Sequence, residues 1–276
     1  MTSLAEPFTD PFLQRALVAG VLVALAAAVV GTFVVLRGLA FIGDALAHGV
    51  LPGIAVALLA GGPGMLGALV GAGVMIGGVT LVTRSSRLSG DTAIGLLFVG
   101  MLSLGVVIVS RSASFTGDLT RILFGDVLGI GWDDIQLQAV VTLLVLGVAA
   151  VFARPFLLLC IDPESATVAG FRAARYHALM LALIAVTVVV SFQAVGTLLV
   201  FGMLVAPPAT AALFAHRAGT MMLIAGAIGA VSVWAGLALS YEYDLAAGAS
   251  VVLVQVAVFF VALTAGTLLE RRAAAA

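Results

Sequence analysis

Charge is scarce in this sequence. Of its 276 residues only 9% are Asp, Glu, Lys or Arg, while 63% are hydrophobic, and a water-soluble domain needs a far larger share of polar surface. Soluble enzymes and soluble binding modules are excluded on that ground, and the chain belongs in lipid. Lysine is missing altogether, so the 12 basic residues are all Arg, a bias that fits a GC-rich coding sequence. The single cysteine, Cys160, excludes an internal disulfide and cannot by itself build a thiolate metal cage; it reads as a small buried hydrophobe. There is no GxxxxGK(S/T) phosphate loop, so the chain does not hydrolyse ATP, and there is no HExxH zinc motif. Residues 1–15 hold Glu6 and Asp10, with no basic cluster and no small-residue cleavage site after a short apolar core, so no removed leader is expected. Nucleic acid is not among the expected partners.

Long apolar runs are what the sequence has in abundance. Polar interruptions and turn residues divide it into nine of them, near 13–36, 39–60, 64–83, 92–110, 134–153, 177–193, 196–214, 218–240 and 245–269. Each is long enough, at about 1.5 Å per residue, to cross or nearly cross a hydrocarbon core. The expected fold class is an all-α polytopic membrane protein, one transmembrane domain over 1–276 with about nine helices, range 8–10, and short loops. The 39–60 and 196–214 elements have the composition of broken helices. Glycine, at 32 residues, is spaced for close helix contact, with Gly67/Gly71 and Gly73/Gly77 as GxxxG pairs in the third span.

Nine crossings sort the arginines. Arg37, Arg84, Arg87, Arg154, Arg172, Arg175, Arg217, Arg271 and Arg272 fall on one side, and Arg15, Arg111 and Arg121 on the other. The positive-inside rule then puts the C-terminus in the cytoplasm and the N-terminus outside, in the plasma (inner) membrane. The acids lean outward. Asp118, Asp126, Asp133, Asp134, Glu242 and Asp244 lie in or beside the outer loops, where they form either a docking face for a basic partner or a funnel that concentrates divalent cations.

Two stretches carry chemistry. In Arg37-Gly-Leu-Ala-Phe-Ile-Gly-Asp44-Ala-Leu-Ala-His48-Gly-Val-Leu-Pro52, Asp44 and His48 stand at i and i+4, so a helix places both on one face. A carboxylate oxygen and an imidazole nitrogen at that spacing can ligate one zinc or manganese ion, or can simply pair with each other across a helix turn. Ionisable groups at membrane depth are costly and usually face a cavity or pathway. Pro52 has no N–H to give the His48 carbonyl, which sharpens the case for a pathway or hinge there. The second stretch runs from Asp162 to Arg175. Asp162 suits an N-cap, Pro163 the first helical position, Glu164 the helix dipole and Gly170 the position past the end, encoding a short surface helix on the arginine-rich side. It reads either as an interfacial loop or as a handle for a peripheral motor subunit. A third feature, Pro207-Pro208, releases the carbonyls of Met203 and Leu204, so the seventh span is expected to be kinked or broken.

With these residues in view, the chain resembles the zinc/manganese class of ABC-transporter permeases. The likeness runs nearly end to end. It is most specific over Leu36 to Ala55, and it extends to Ser191-Phe-Gln-Ala-Val-Gly-Thr, to Leu204-Val-Ala-Pro-Pro-Ala-Thr-Ala with a second Pro as a departure, and to Ser240-Tyr-Glu-Tyr-Asp244. The resemblance implies that the metal pathway uses Asp44 and His48. It also implies that Asp162, Pro163, Glu164, Gly170, Arg172 and Arg175 belong to a cytoplasmic coupling helix that docks on the ATPase; Glu164 to Gly170 approximates the pattern EAAxxxG, with Ser165 departing at the second place. The implied assembly is a homodimer with two cytoplasmic ABC ATPase subunits and an extracytoplasmic metal-binding protein. No permanently bound cofactor is expected, and the transported ion is zinc, with manganese next. The competing expectation is a proton-coupled secondary metal carrier, which would use Asp44 and His48 as a proton relay and need no ATPase.

Overall fold

The computed structural model of the chain describes residues 8, 10–110 and 129–274. Among them the chain is helical throughout: α1 (Pro11–Leu36), α2 (Ile42–Gly49), α3 (Leu51–Leu59), α4 (Gly64–Ser85), α5 (Gly90–Ser110), α6 (Trp132–Val151), α7 (Ala153–Ile161), α8 (Pro163–Val168), α9 (Ala173–Val195), α10 (Thr197–Ala212), α11 (Ala218–Tyr243) and α12 (Ala247–Ala274). Eight apolar segments are long enough to cross a membrane, with α2 and α3 counting together as Ile42–Leu59, and α10 is a ninth, shorter one. The nine expected spans are therefore all present as apolar helices.

The second span is broken, as its composition suggests. Val50 is both the last cap of α2 and the first cap of α3, and Pro52 lies in the first turn of α3, where the missing N–H costs least. The seventh span is not broken. Pro207 and Pro208 lie buried inside α10, which runs unbroken from Thr197 to Ala212. The Leu204 carbonyl that Pro208 leaves free lies instead against the backbone of Gly31 on α1, where a Cβ would collide with it. Arg154 and Pro155, which directly follow the expected 134–153 span, lie in the first turn of α7. That helix buries Pro155, Phe156 and Leu159 in the bundle and sets the Phe156 ring edge-on to Phe33 of α1, with centroids 5.4 Å apart.

The core is built on α1, whose inner residues from Ala16 to Val34 are almost all buried, with α10 and α11 packed along it. The pair α2–α3 is held from the other side by α4. At that crossing the backbones touch: a Cβ on Gly53 would meet the Gly67 carbonyl, and one on Gly67 the Gly53 carbonyl, while one on Gly71 would stand 3.0 Å from Val50 Cα. Such contact exists only where both helices carry glycine. The second GxxxG pair does not act this way within the chain, because Gly73 and Gly77 are exposed and a Cβ on either meets nothing within 4 Å.

The crossing generates a stability prediction. Gly67→Val forces α3 away from α4 and should cost about 1–3 kcal/mol, read as a lower thermal-unfolding temperature of the purified protein. Gly77→Ala, which enters open space, should leave that temperature unchanged.

Candidate functional site

Asp44 and His48 fall on one face of α2, and His48 Nε2 lies 3.4 Å from Asp44 Oδ1. Neither is sealed in the core: the side chains keep 36% and 22% of their surface, respectively. The His48 ring tilts against Phe98 of α5, with centroids 5.7 Å apart, and its Nδ1 is buried with no hydrogen-bond partner. The Asp44 side opens onto a cavity of about 510 Å³ between α2 and α5, lined by Phe41, Asp44, Ala45, Asp91, Thr92, Ile94, Gly95, Phe98 and Val99. No third His, Cys, Asp or Glu joins the pair at metal-binding distance among the described residues. One chain thus offers one carboxylate and one imidazole beside a cavity, with coordination positions to spare. The six α5 residues in its wall, Asp91, Thr92, Ile94, Gly95, Phe98 and Val99, were beyond sequence reasoning, because only the pairing of α2 with α5 brings them there.

The Asp162–Arg175 stretch folds as its residues dictate. The Asp162 carboxylate accepts from the Glu164 N–H (3.1 Å), the Ser165 N–H (2.9 Å) and the Ser165 hydroxyl (2.8 Å). These bonds, the Glu164 N–H first among them, hold the carboxyl below its usual range. At the other end Gly170 takes φ +84°, its N–H donates to Thr167 and the Phe171 N–H donates to Ala166, the six-to-one and five-to-two bonds of a Schellman ending. Glu164, Gly170, Arg172 and Arg175 are exposed. Two apolar side chains that the sequence did not single out flank them, Ile161 and Val168, 81% and 89% exposed. Just upstream Cys160 is half-buried, and burial pushes its thiol up to about 11, so it stays protonated at neutral pH.

The acids expected on the outer face do not form one patch of equivalent groups. Asp118 and Asp126 lie outside the described residues. Asp134 accepts the Gly131 N–H at 2.9 Å and so holds the start of α6, whereas Asp133 is exposed beside it. Asp244 occupies the left-handed turn between α11 and α12, at φ 52° and ψ 44°, a conformation that Asp tolerates better than most residues. Pro52 and Pro207/Pro208 are buried in different helices, and a Cβ on Gly105 of α5 would approach Pro52 Cδ at 3.4 Å.

A bundle of this length and polarity, with an ionisable pair beside an open cavity and a capped helix projecting from it, defines a polytopic membrane transport protein. The chain belongs to the ABC 3 transport family, whose model matches residues 9–266. It is 38% identical over 251 residues to the manganese transport system membrane protein MntC of Listeria innocua, covering 91% of this chain and 89% of that protein. It is 37% identical over 260 residues to a probable iron transport system membrane protein of Haemophilus influenzae, covering 94% and 96%. Among solved structures, PsaBC from Streptococcus pneumoniae in complex with Fab superposes with a TM-score of 0.83 at 32% identity, covering 94% of each chain. These relatives are named for manganese or iron, so the zinc expected from sequence finds no specific support.

The cap bonds of Asp162 set a pH dependence. Because its folded value is depressed, the cap's contribution is complete above the ordinary carboxylate range and is lost as pH falls through the lowered value. Asp162→Ala should therefore speed amide exchange at Glu164 and Ser165 at neutral pH. Asp162→Asn, which still offers one acceptor, should retain much of the protection.

Proposed function

We propose that this chain is the membrane-spanning permease subunit of an ATP-driven importer for a divalent transition metal, manganese first and iron or zinc after it. The observation that carries the reading is the Asp44–His48 pair, 3.4 Å apart beside a cavity, in a chain whose relatives are named for metal transport. Carboxylate and imidazole suit manganese, iron and zinc alike and do not suit Cu(I), so the relatives' names decide the order.

The pair is incomplete by itself, and it looks out of the chain rather than into its core. A second copy related by a two-fold axis would close the cavity and bring a second carboxylate and imidazole, giving two oxygen and two nitrogen ligands with room for water. The homodimer is thus part of the site and not only of the assembly. Two cytoplasmic ATPase subunits would grip α8, whose rigid caps resist unwinding under load and whose exposed Val168 and Ile161 offer apolar anchors amid Glu164, Arg172 and Arg175. An extracytoplasmic binding protein would hand over the ion at the face carrying Asp133, Glu242 and Asp244. The arginine distribution supports an orientation with α8 and the C-terminus in the cytoplasm and the N-terminus outside. Closure of the ATPase pair would tilt the bundle and open the Asp44/His48 region alternately to the two sides.

Asp44→Asn and His48→Ala should each leave the protein inserted while lowering manganese uptake by roughly a hundredfold; near-normal uptake by both variants would reduce the pair to a structural contact. Val168→Asp should leave metal binding intact and uncouple ATP hydrolysis from uptake. Single cysteines placed at Glu164 or Val168 should react with impermeant reagents only in inside-out vesicles, and labelling in intact cells would invert the topology.

A further inference from the structure

The α2/α5 cavity holds a second carboxylate that the ligand pair does not use. Asp91 lines it together with Asp44, on the first turn of α5. The two helices run in the same direction, since the cavity joins Phe41 and Asp44 to the start of α5, His48 meets Phe98, and Leu51 and Pro52 meet Gly105. Position along the axis follows from helical rise. Asp91 lies seven residues before Phe98, about 10 Å, and Asp44 lies four before His48, about 6 Å, so Asp91 stands some 4–5 Å beyond Asp44 on the side away from His48. The order His48, Asp44, Asp91 is a ladder that descends toward the side where the arginines fall.

The helix does not need Asp91 for its own start. Ser89 caps α5, accepting the Thr92 N–H at 3.2 Å and sharing a hydrogen bond of 2.8 Å with the Thr92 hydroxyl. No cation from a described side chain is paired with Asp91, while Asp44 has His48. Apart from Thr92, whose hydroxyl is taken up by Ser89, the rest of the wall is apolar, from Phe41, Ala45, Ile94, Gly95, Phe98 and Val99. Two carboxylates facing one apolar-walled space are stabilised by a cation between or beside them.

We propose that Asp91 is the exit carboxylate of the transport route: it receives the divalent ion from Asp44 and His48 and passes it to the cytoplasmic side. The inference rests on the reading of Asp44 and His48 as the ion's ligands. An ion held by a carboxylate and an imidazole leaves slowly unless a competing anion lies along its way out, and a second carboxylate on the wall of the same cavity lowers the barrier to release. Asp91 therefore acts on the rate of transfer and not on equilibrium affinity. A role limited to complementing the α5 dipole would instead appear in stability.

The test uses the complete importer, permease with its ATPase and binding protein, in proteoliposomes supplied with manganese, alongside equilibrium manganese binding and thermal unfolding of the same preparations. Asp91→Asn should lower the maximal uptake rate by about tenfold while the manganese dissociation constant and the unfolding temperature stay put, and Asp91→Glu should restore most of the rate. Unchanged uptake in Asp91→Asn overturns the proposal, and so does a loss of uptake matched by lost binding or lost stability. Asp44→Asn, run in parallel, separates the two readings. If it abolishes binding and uptake while Asp91→Asn behaves as wild type, only the exit role falls. If Asp44→Asn binds and transports normally, the ligand reading falls with it.

Discussion

The cost of holding a carboxylate and an imidazole at membrane depth governs the arrangement of everything around them. An ionisable group inside hydrocarbon has to face a partner, a cavity or water, and this chain provides all the available remedies at one place. Asp44 and His48 meet each other at 3.4 Å, one flank opens to the α2/α5 cavity, and the helix carrying them is interrupted at Val50 just beyond. The interruption is affordable because α4 comes up to the bare backbone of Gly53 and Gly71 presents no side chain to Val50. Glycine at the crossing is therefore a condition of the site as well as of the packing.

The same core gives the projecting helix a mechanical connection to that site. α8 follows α7 directly, α7 is anchored by Phe156 against Phe33, and Phe33 lies near the end of α1, three residues before the turn into α2 begins. On the opposite flank Arg37 Nη1 lies 2.7 Å from His177 Nδ1, joining the end of α1 to α9. Arginine has only donors to offer, so this contact fixes His177 with Nδ1 as acceptor. Packed rings and a short hydrogen bond thus join the elements between α8 and the turn that leads into Asp44.

Much of this was legible in the sequence because lipid imposes a simple rule on length and polarity. The nine apolar segments match to within a few residues, and the caps of α8, Asp162 at one end and Gly170 at the other, follow from local backbone chemistry alone. The errors have one common origin, the use of local rules where a neighbour decides. Arg154 and Pro155 lie past the expected end of the 134–153 span, but a proline near a helix start is harmless and Phe156 and Leu159 have a core to enter. Pro207 and Pro208 looked like a break, but burial against α1 keeps α10 in one piece. Gly73 and Gly77 have the spacing of a contact pair and touch nothing in the chain. The i, i+4 spacing of Asp44 and His48 was visible; the Asp91–Phe98 wall opposite was not, since no periodicity in α5 records which helix it will lie beside.

In the proposed importer, selectivity among metals would follow from what the pair leaves undone. Asp and His supply one hard and one borderline donor, a set that orders divalent ions by general affinity and so favours zinc over manganese when both compete freely. A permease serving manganese cannot rely on those two side chains for discrimination. The discrimination has to lie in geometry. A closed four-ligand shell suits tetrahedral zinc, whereas a shell that leaves room for water suits six-coordinate manganese. The open cavity beside Asp44 and the part-exposed His48 leave that room. With Phe41, Phe98 and Val99 as its apolar walls and Asp91 as the further carboxylate of its lining, the space would admit water next to an ion held by the pair, a combination that would permit both coordination and release.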